Sequence, residues 1–226
     1  DVSIDCGNGV TGAVAKSIFS AFKINTYIIN ESVDGNFPNH PPDTSNEENL
    51  IQLKEKIKSN KSSIGFAYDG DGDRIIVLKS NGDIIWPDQL MILFSRSILK
   101  NNKNAKIVYD VKCTKHLEEE IIKNHGLPVL SRTGHSFIKK AMIQEKALLG
   151  GEMSGHIFFA DKWEGFDDGI YASIRLLEIL SNNENYEEML DDLPVSVTTP
   201  EINIPFSGNN HFTFMDLFAK LTKFDN

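Results

Sequence analysis

Six consecutive residues, Asp69-Gly70-Asp71-Gly72-Asp73-Arg74, place three carboxylates at alternate positions with an arginine directly after them. Carboxylates gathered at that spacing repel one another, and a hard divalent cation with oxygen ligands relieves the repulsion. The intervening glycines let the backbone bend so that the oxygens of Asp69, Asp71 and Asp73 converge. An EF-hand reading fails, because counting from Asp69 puts Arg74 and Ser80 where that loop needs Gly and Glu. Mg²⁺ fits better: it is held by a few carboxylates while a phosphate completes its shell, and Arg74 supplies a planar fork of donors to the same phosphate. No G-x-x-x-x-G-K occurs, so a P-loop nucleotide site is unsupported.

The second segment with chemistry in it is Gly151-Glu152-Met153-Ser154-Gly155-His156. A carboxylate and a hydroxyl on a tight loop suit the vicinal hydroxyls of a sugar, which assigns Glu152 and Ser154 to substrate, with His156 beside a phosphate or a moving proton. A hydrolase elbow would need Gly two residues before the serine, where Glu152 stands. Weaker signals are Lys112, after an apolar run, and Thr133-Gly134-His135-Ser136 at a predicted helix start, where free N–H groups and an adjacent imidazole welcome phosphate oxygens. Both fall at the carboxyl ends of predicted strands, where open α/β sheets bind ligands. His40, His116, His125 and His211 form no such cluster and are read as surface or packing residues.

The elements that must position these loops alternate between short apolar strands and helical stretches, the pattern of α/β layering around largely parallel sheets. Strands are predicted at 2–4, 27–29, 64–68, 75–78, 84–86, 106–111, 129–131, 147–150 and 157–159, and helices at 13–22, 47–59, 88–99, 114–124, 134–144 and 167–180. Asn81-Gly82 marks a tight hairpin turn. The fold class that follows is two similar three-layer α/β units with mixed, largely parallel sheets between helices, closing near residues 83 and 195, plus a partial third unit over 196–226 holding one strand and one short helix. The acidic stretch 182–192, with Pro194 and Pro200 beyond, reads as a boundary.

The 226 residues are 40% hydrophobic and 24% charged, a composition that folds. A formal charge of -9 disfavours nucleic acid and anionic membrane partners. Cys6 and Cys113 make no disulfide framework, and no apolar run spans a bilayer, so a cytoplasmic location is expected. The opening, a strand without an initiator methionine, suggests an excerpt of a longer chain.

Taken in order, Asp5-Cys6-Gly7-Asn8-Gly9, the Asp69–Arg74 run, Thr133-Gly134-His135-Ser136, Gly151–His156 and Gly165-Phe166-Asp167-Asp168-Gly169 resemble the α-D-phosphohexomutases, most closely the bacterial phosphomannomutase/phosphoglucomutase members. The resemblance implies a four-domain parent of which this chain holds domain 2 (1–83, metal-binding), domain 3 (84–195, sugar-binding) and the start of domain 4 (196–226), without the phosphoserine loop of domain 1 or the phosphate-gripping loop of domain 4. It implies an Mg²⁺-dependent mutase, interconverting the 1- and 6-phosphates of mannose and glucose through a phosphoserine enzyme and a 1,6-bisphosphate, with glucose 1,6-bisphosphate as activator. Asp69, Asp71 and Asp73 would hold the metal. Arg74, Lys112, His135 and His156 would be catalytic, and Gly134, Glu152, Ser154, His156 and Lys112 would bind the hexose phosphate. Lacking the nucleophile, the chain alone would be inactive. Phosphoglucosamine mutases, the nearest alternative, typically carry Gln where Met153 stands. A strand followed by Asp-x-Asp also opens dehalogenase-like phosphatases, although Asp73 departs from their pattern, and a non-catalytic sugar-phosphate binding module is a further alternative.

Overall fold

The structure, a computed structural model, describes residues 1–195, 205–208 and 210–222. It opens with the fully buried strand β1 (Val2–Asp5), turns through Gly7-Asn8-Gly9, and enters α1 (Thr11–Ala21). After β2 (Thr26–Ile29), a 3₁₀ turn over Glu47–Leu50 runs directly into α2 (Ile51–Asn60). Asn46 caps it by accepting from the Glu48 N–H, so the apolar stripe predicted over 47–59 is one helical stretch that starts tight. β3 (Ile64–Tyr68), β4 (Ile75–Lys79) and β5 (Ile84–Ile85) complete a five-stranded sheet ordered β2-β1-β3-β4-β5. β1 runs parallel to both of its neighbours, whereas β3, β4 and β5 form an antiparallel meander.

α3 (Pro87–Asn101) leads to β6 (Lys106–Asp110), α4 (Lys115–Lys123), β7 (Leu127–Ser131), α5 (His135–Glu145), β8 (Leu149–Gly151) and β9 (Ile157–Phe159). The second sheet is ordered β7-β6-β8-β9, again with a central strand parallel to both neighbours and an antiparallel pair at the end. It therefore repeats the first sheet: β6 stands for β1, β7 for β2, β8 for β3 and β9 for β4. α6 (Gly169–Ser181) and α7 (Tyr186–Asp191) follow.

Side-chain alternation builds the layers. In β3, Ile64, Phe66 and Tyr68 enter the main core while Ala67 faces α2; in β4, Ile75 and Val77 enter the core while Ile76 and Leu78 meet Leu50, Leu53 and Ile57. The second sheet does the same, turning Val108 and Phe158 toward Ile138 and Met142 of α5. The inner faces of both sheets share one continuous core with α3 and α6. α3 buries Leu90, Met91, Ile92, Leu93, Phe94, Ile98 and Leu99, on more of its circumference than a surface helix would, because apolar layers flank it. Each such side chain contributes roughly 1.5–3 kcal/mol on burial.

The acidic stretch 182–192 is not open chain: it carries α7, and Leu190 and Leu193 are buried, so the compact unit runs to Val195. Residues 196–226 are a second unit, described as α8 (His211–Leu221), which Asn210 caps by accepting from the Thr213 N–H at 3.1 Å. The segment 199–204, read as the entry to a further domain, lies outside the described residues. Among the described residues, no helix is long and apolar enough to cross a membrane.

Candidate functional site

The six residues 69–74 form the loop of the β3–β4 hairpin, closed by the Tyr68/Ile75 pair. Asp69 is 1% exposed and organises the turn from inside: its Oδ1 accepts from the Gly72 and Arg74 N–H groups at 3.1 Å each, and its Oδ2 accepts from Arg74 Nε at 2.6 Å. Gly72, at φ +80°, gives the bend that the glycine spacing predicted. The carboxylate oxygens of Asp69, Asp71 and Asp73 lie within 4.8 Å of one another. Burial raises the Asp73 pKa; His156 opposes the shift, while Asp69, Asp71 and Asp167 add to it. Its Oδ1 is shut off from solvent and makes no hydrogen bond. A buried oxygen without a hydrogen bond, its charge met only by ion-pair neighbours and facing two more carboxylates, belongs to a donor set that suits a hard divalent cation, so these residues fit Mg²⁺.

The segment 152–156 is the matching loop of the second sheet, between β8 and β9, and it is sewn to the first. Ile75 N–H donates to Gly155 O at 3.1 Å, and Arg74 and His156 form a β-bridge. Gly155 sits at φ +104°, and a Cβ there would come within 2.9 Å of Ile75 O, so only glycine permits this approach. The N-terminus of α6 closes the third side: Gly169 N–H donates to Gly72 O at 2.9 Å, and Tyr68 Oη meets Ser173 Oγ at 2.6 Å.

These joints bring the predicted residues together. His156 Nδ1 lies 2.9 Å from Glu152 Oε2 and 3.0 Å from Ser154 Oγ, and its Nε2 lies 3.3 Å from Asp73 Oδ1. Burial works against the imidazolium, but Glu152, Asp73 and Asp167 outweigh it and raise the His156 pKa. Burial likewise opposes the Glu152 carboxylate, and hydrogen bonds from His156 and the Gly134 N–H prevail, lowering its pKa. Glu152 is 1% exposed, its Oε1 taken by that Gly134 N–H and its Oε2 by His156, which leaves further lone pairs on both oxygens for an added donor. Gly134 is the N-cap of α5, and His135, the first residue of that helix, places its ring 5.7 Å from that of His156. Lys112 stands exposed in the turn after β6, at the same carboxyl edge of the sheet. Of the histidines set aside, His40 is a packing residue, its Nε2 3.1 Å from Asp5 Oδ2.

Sequence reasoning assigned no site role to Asp167 or Lys139. Asp167, read as the first residue of a helix, precedes it instead; Asp168 is the cap, accepting from the Tyr171 N–H at 2.8 Å. Asp167 is thereby free to enter the site, where it lies within 4.8 Å of Asp73 and His156 ligand atoms, with Lys139 Nζ 2.6 Å from its Oδ1. Asp167 lay in the Gly165–Gly169 segment that carried the resemblance but was given no role; the doubled aspartate ahead of a helix was the local signal, since a single cap explains just one of the pair.

Two α/β/α units with a carboxylate loop and a polar loop joined at their ends define the architecture that the comparisons place in a family. Residues 1–82 match the model described as phosphoglucomutase/phosphomannomutase, alpha/beta/alpha domain II, and residues 86–196 match domain III of the same family. The chain belongs to the phosphoglucomutase/phosphomannomutase family. It is 46% identical over 220 residues to a phosphomannomutase/phosphoglucomutase of Pseudomonas syringae pv. tomato, covering 97% of this chain and 47% of that protein. It is 47% identical over 222 residues to a phosphoglucomutase of Neisseria gonorrhoeae, covering 97% and 48%. A crystal structure of a phosphoglucomutase/phosphomannomutase family protein from Burkholderia thailandensis superposes with a TM-score of 0.86 at 45% identity, over 88% of this chain and 43% of the other. The chain thus spans about half the length of the curated relatives it matches.

Proposed function

We propose that this chain is the metal-binding and sugar-binding portion of a longer hexose phosphate mutase, one that interconverts the 1- and 6-phosphates of mannose and glucose. The observation that carries this reading is the junction of the two loops, which sets His156 Nε2 3.3 Å from Asp73 Oδ1 and so joins the carboxylate trio to the polar loop. The residue ranges 1–83 and 84–195 act as its second and third domains, and the phosphoserine that exchanges its phosphoryl group with the sugar, through a 1,6-bisphosphate, comes from outside this chain.

In this reading Asp69, Asp71 and Asp73 hold Mg²⁺, which when bound neutralises charge on the phosphoryl oxygens. Arg74, anchored through Nε by Asp69, offers its remaining guanidinium donors to the same oxygens. Glu152 and Ser154 accept from and donate to sugar hydroxyls. His156, whose protonated form its carboxylate neighbours stabilise, can give its Nε2 proton to the oxygen that leaves phosphorus and, once neutral, take one from the hydroxyl that attacks in the next transfer. His135 and the α5 N-terminus, with Lys112, orient phosphate oxygens. Phosphoryl transfer needs mainly such positioning and charge neutralisation, which is why rigid loop junctions suit it.

The test is a steady-state assay of the full-length protein on glucose 1-phosphate and mannose 1-phosphate, with Mg²⁺ and a trace of glucose 1,6-bisphosphate, and with this chain alone as the control. Turnover of both sugars by the full-length protein and none by the chain supports the reading. Activity on glucosamine phosphate alone would move the substrate, and release of inorganic phosphate would sink the mutase assignment.

A further inference from the structure

The last residue of the central strand β6, Asp110, is fully buried, and its carboxylate is tied to all three loops that leave the carboxyl edge of the second sheet. Its Oδ1 receives Cys113 Sγ at 3.1 Å, from the turn after β6, and the Met153 N–H at 3.4 Å, from the loop after β8. Its Oδ2 receives the Thr133 hydroxyl at 3.0 Å, from the loop after β7. Each of these donors lies next to a candidate substrate residue. Lys112 precedes Cys113, Gly134 and His135 follow Thr133, and Glu152 and Ser154 flank Met153. We infer that Asp110 is a positioning residue which sets the register of the three recognition loops and, through them, the affinity for the sugar phosphate. The inference rests on the hexose phosphate reading above.

The topological repeat supplies an internal comparison. Asp5 ends β1, the counterpart of β6, is 1% exposed, and ties its own loops by accepting from the Gly7 N–H and Asn30 Nδ2 at 2.9 Å each and by contacting His40. None of those partners neighbours a sugar-facing residue. Two carboxylates of equal burial at equivalent places thus differ in what their tied loops carry.

The experiment makes Asp110→Asn and Asp5→Asn in the full-length protein and measures kcat, KM for glucose 1-phosphate and the midpoint of the Mg²⁺ titration, with amide hydrogen exchange at Met153 followed in this chain. Asp110→Asn should raise KM about tenfold, the worth of roughly one net hydrogen bond, leave the Mg²⁺ midpoint in place and accelerate exchange at Met153. Asp5→Asn should leave both KM and Met153 exchange unchanged. An unchanged KM in Asp110→Asn, or equal changes in the two variants, overturns the inference, because general loosening would then explain everything. Should Asp110→Asn not fold, Thr133→Val removes one tie from an exposed position; a raised KM sustains the inference and an unchanged one overturns it. If the unmodified protein turns over no sugar phosphate, the functional reading falls, and Met153 exchange alone decides whether the tether exists.

Discussion

His156 Nε2 and Asp73 Oδ1 lie 3.3 Å apart, although 83 positions separate them in sequence and they belong to loops of different sheets. Neither residue has its ordinary charge balance alone. Asp73 is pushed toward its neutral form chiefly by burial, and His156 is drawn toward its charged form despite burial, so each supports the ionised state of the other.

The pH dependence of stability follows from the signs. A histidine with a raised pKa contributes stability in full below its ordinary value of 6.5 and loses it as pH rises through the elevated folded value. Glu152, lowered from 4.5, contributes above that value and loses its share as pH falls through the depressed one. The Glu152–His156 pair is therefore most stabilising between pH 4.5 and 6.5. The Tm difference between the unmodified chain and His156→Gln should be greatest in that window and shrink toward alkaline pH; a difference that does not vary with pH would contradict the assignment.

Glu152→Gln should remove the charge that holds His156 and weaken the tie to Gly134. Hydrogen bonds to charged groups are worth about 1.5–3 kcal/mol, so a loss of about 2 kcal/mol is expected, and with it a Tm lower by roughly 4–8 °C. The His156 ring, followed by NMR titration, should at the same time lose much of its upward shift.

Asp71 is exposed, unlike Asp69, and can be changed without disturbing the turn. Asp71→Asn should leave the unfolding free energy within about 0.5 kcal/mol of the unmodified value while weakening Mg²⁺ binding by calorimetry. An unaltered metal titration would rule out the carboxylate trio as the cation site.

Gly155→Ala should part the two loops. Alanine at φ +104° is strained, and its Cβ would press on Ile75 O, together costing about 1–3 kcal/mol. The readout specific to the site is the His156 pKa, which should fall as Asp73 is drawn away; a lower Tm with an unmoved His156 would show that the junction does not set its charge.

The local chemistry was written in residue type and spacing. Alternating aspartates and glycines made the Asp69–Asp73 loop a cation candidate, and apolar periodicity placed the strands and helices within a few residues, because side-chain direction in each element obeys a fixed period. The Asp69–Arg74 run and the Gly151–His156 run were each legible alone. Their union was not. Which buried carboxylate faces which imidazole depends on two sheets sharing a core through α3 and α6, and on a backbone approach at Gly155 that no local pattern encodes. Asp167 and Asp110 were hidden for the same reason. One is a residue beside a helix cap and the other a residue at a strand end, and each gains most of its partners from segments that packing brings together from as far as 94 positions away. Hydrophobic burial decides those meetings, and because it is non-directional along the chain, only the folded tertiary structure shows where the charges end up.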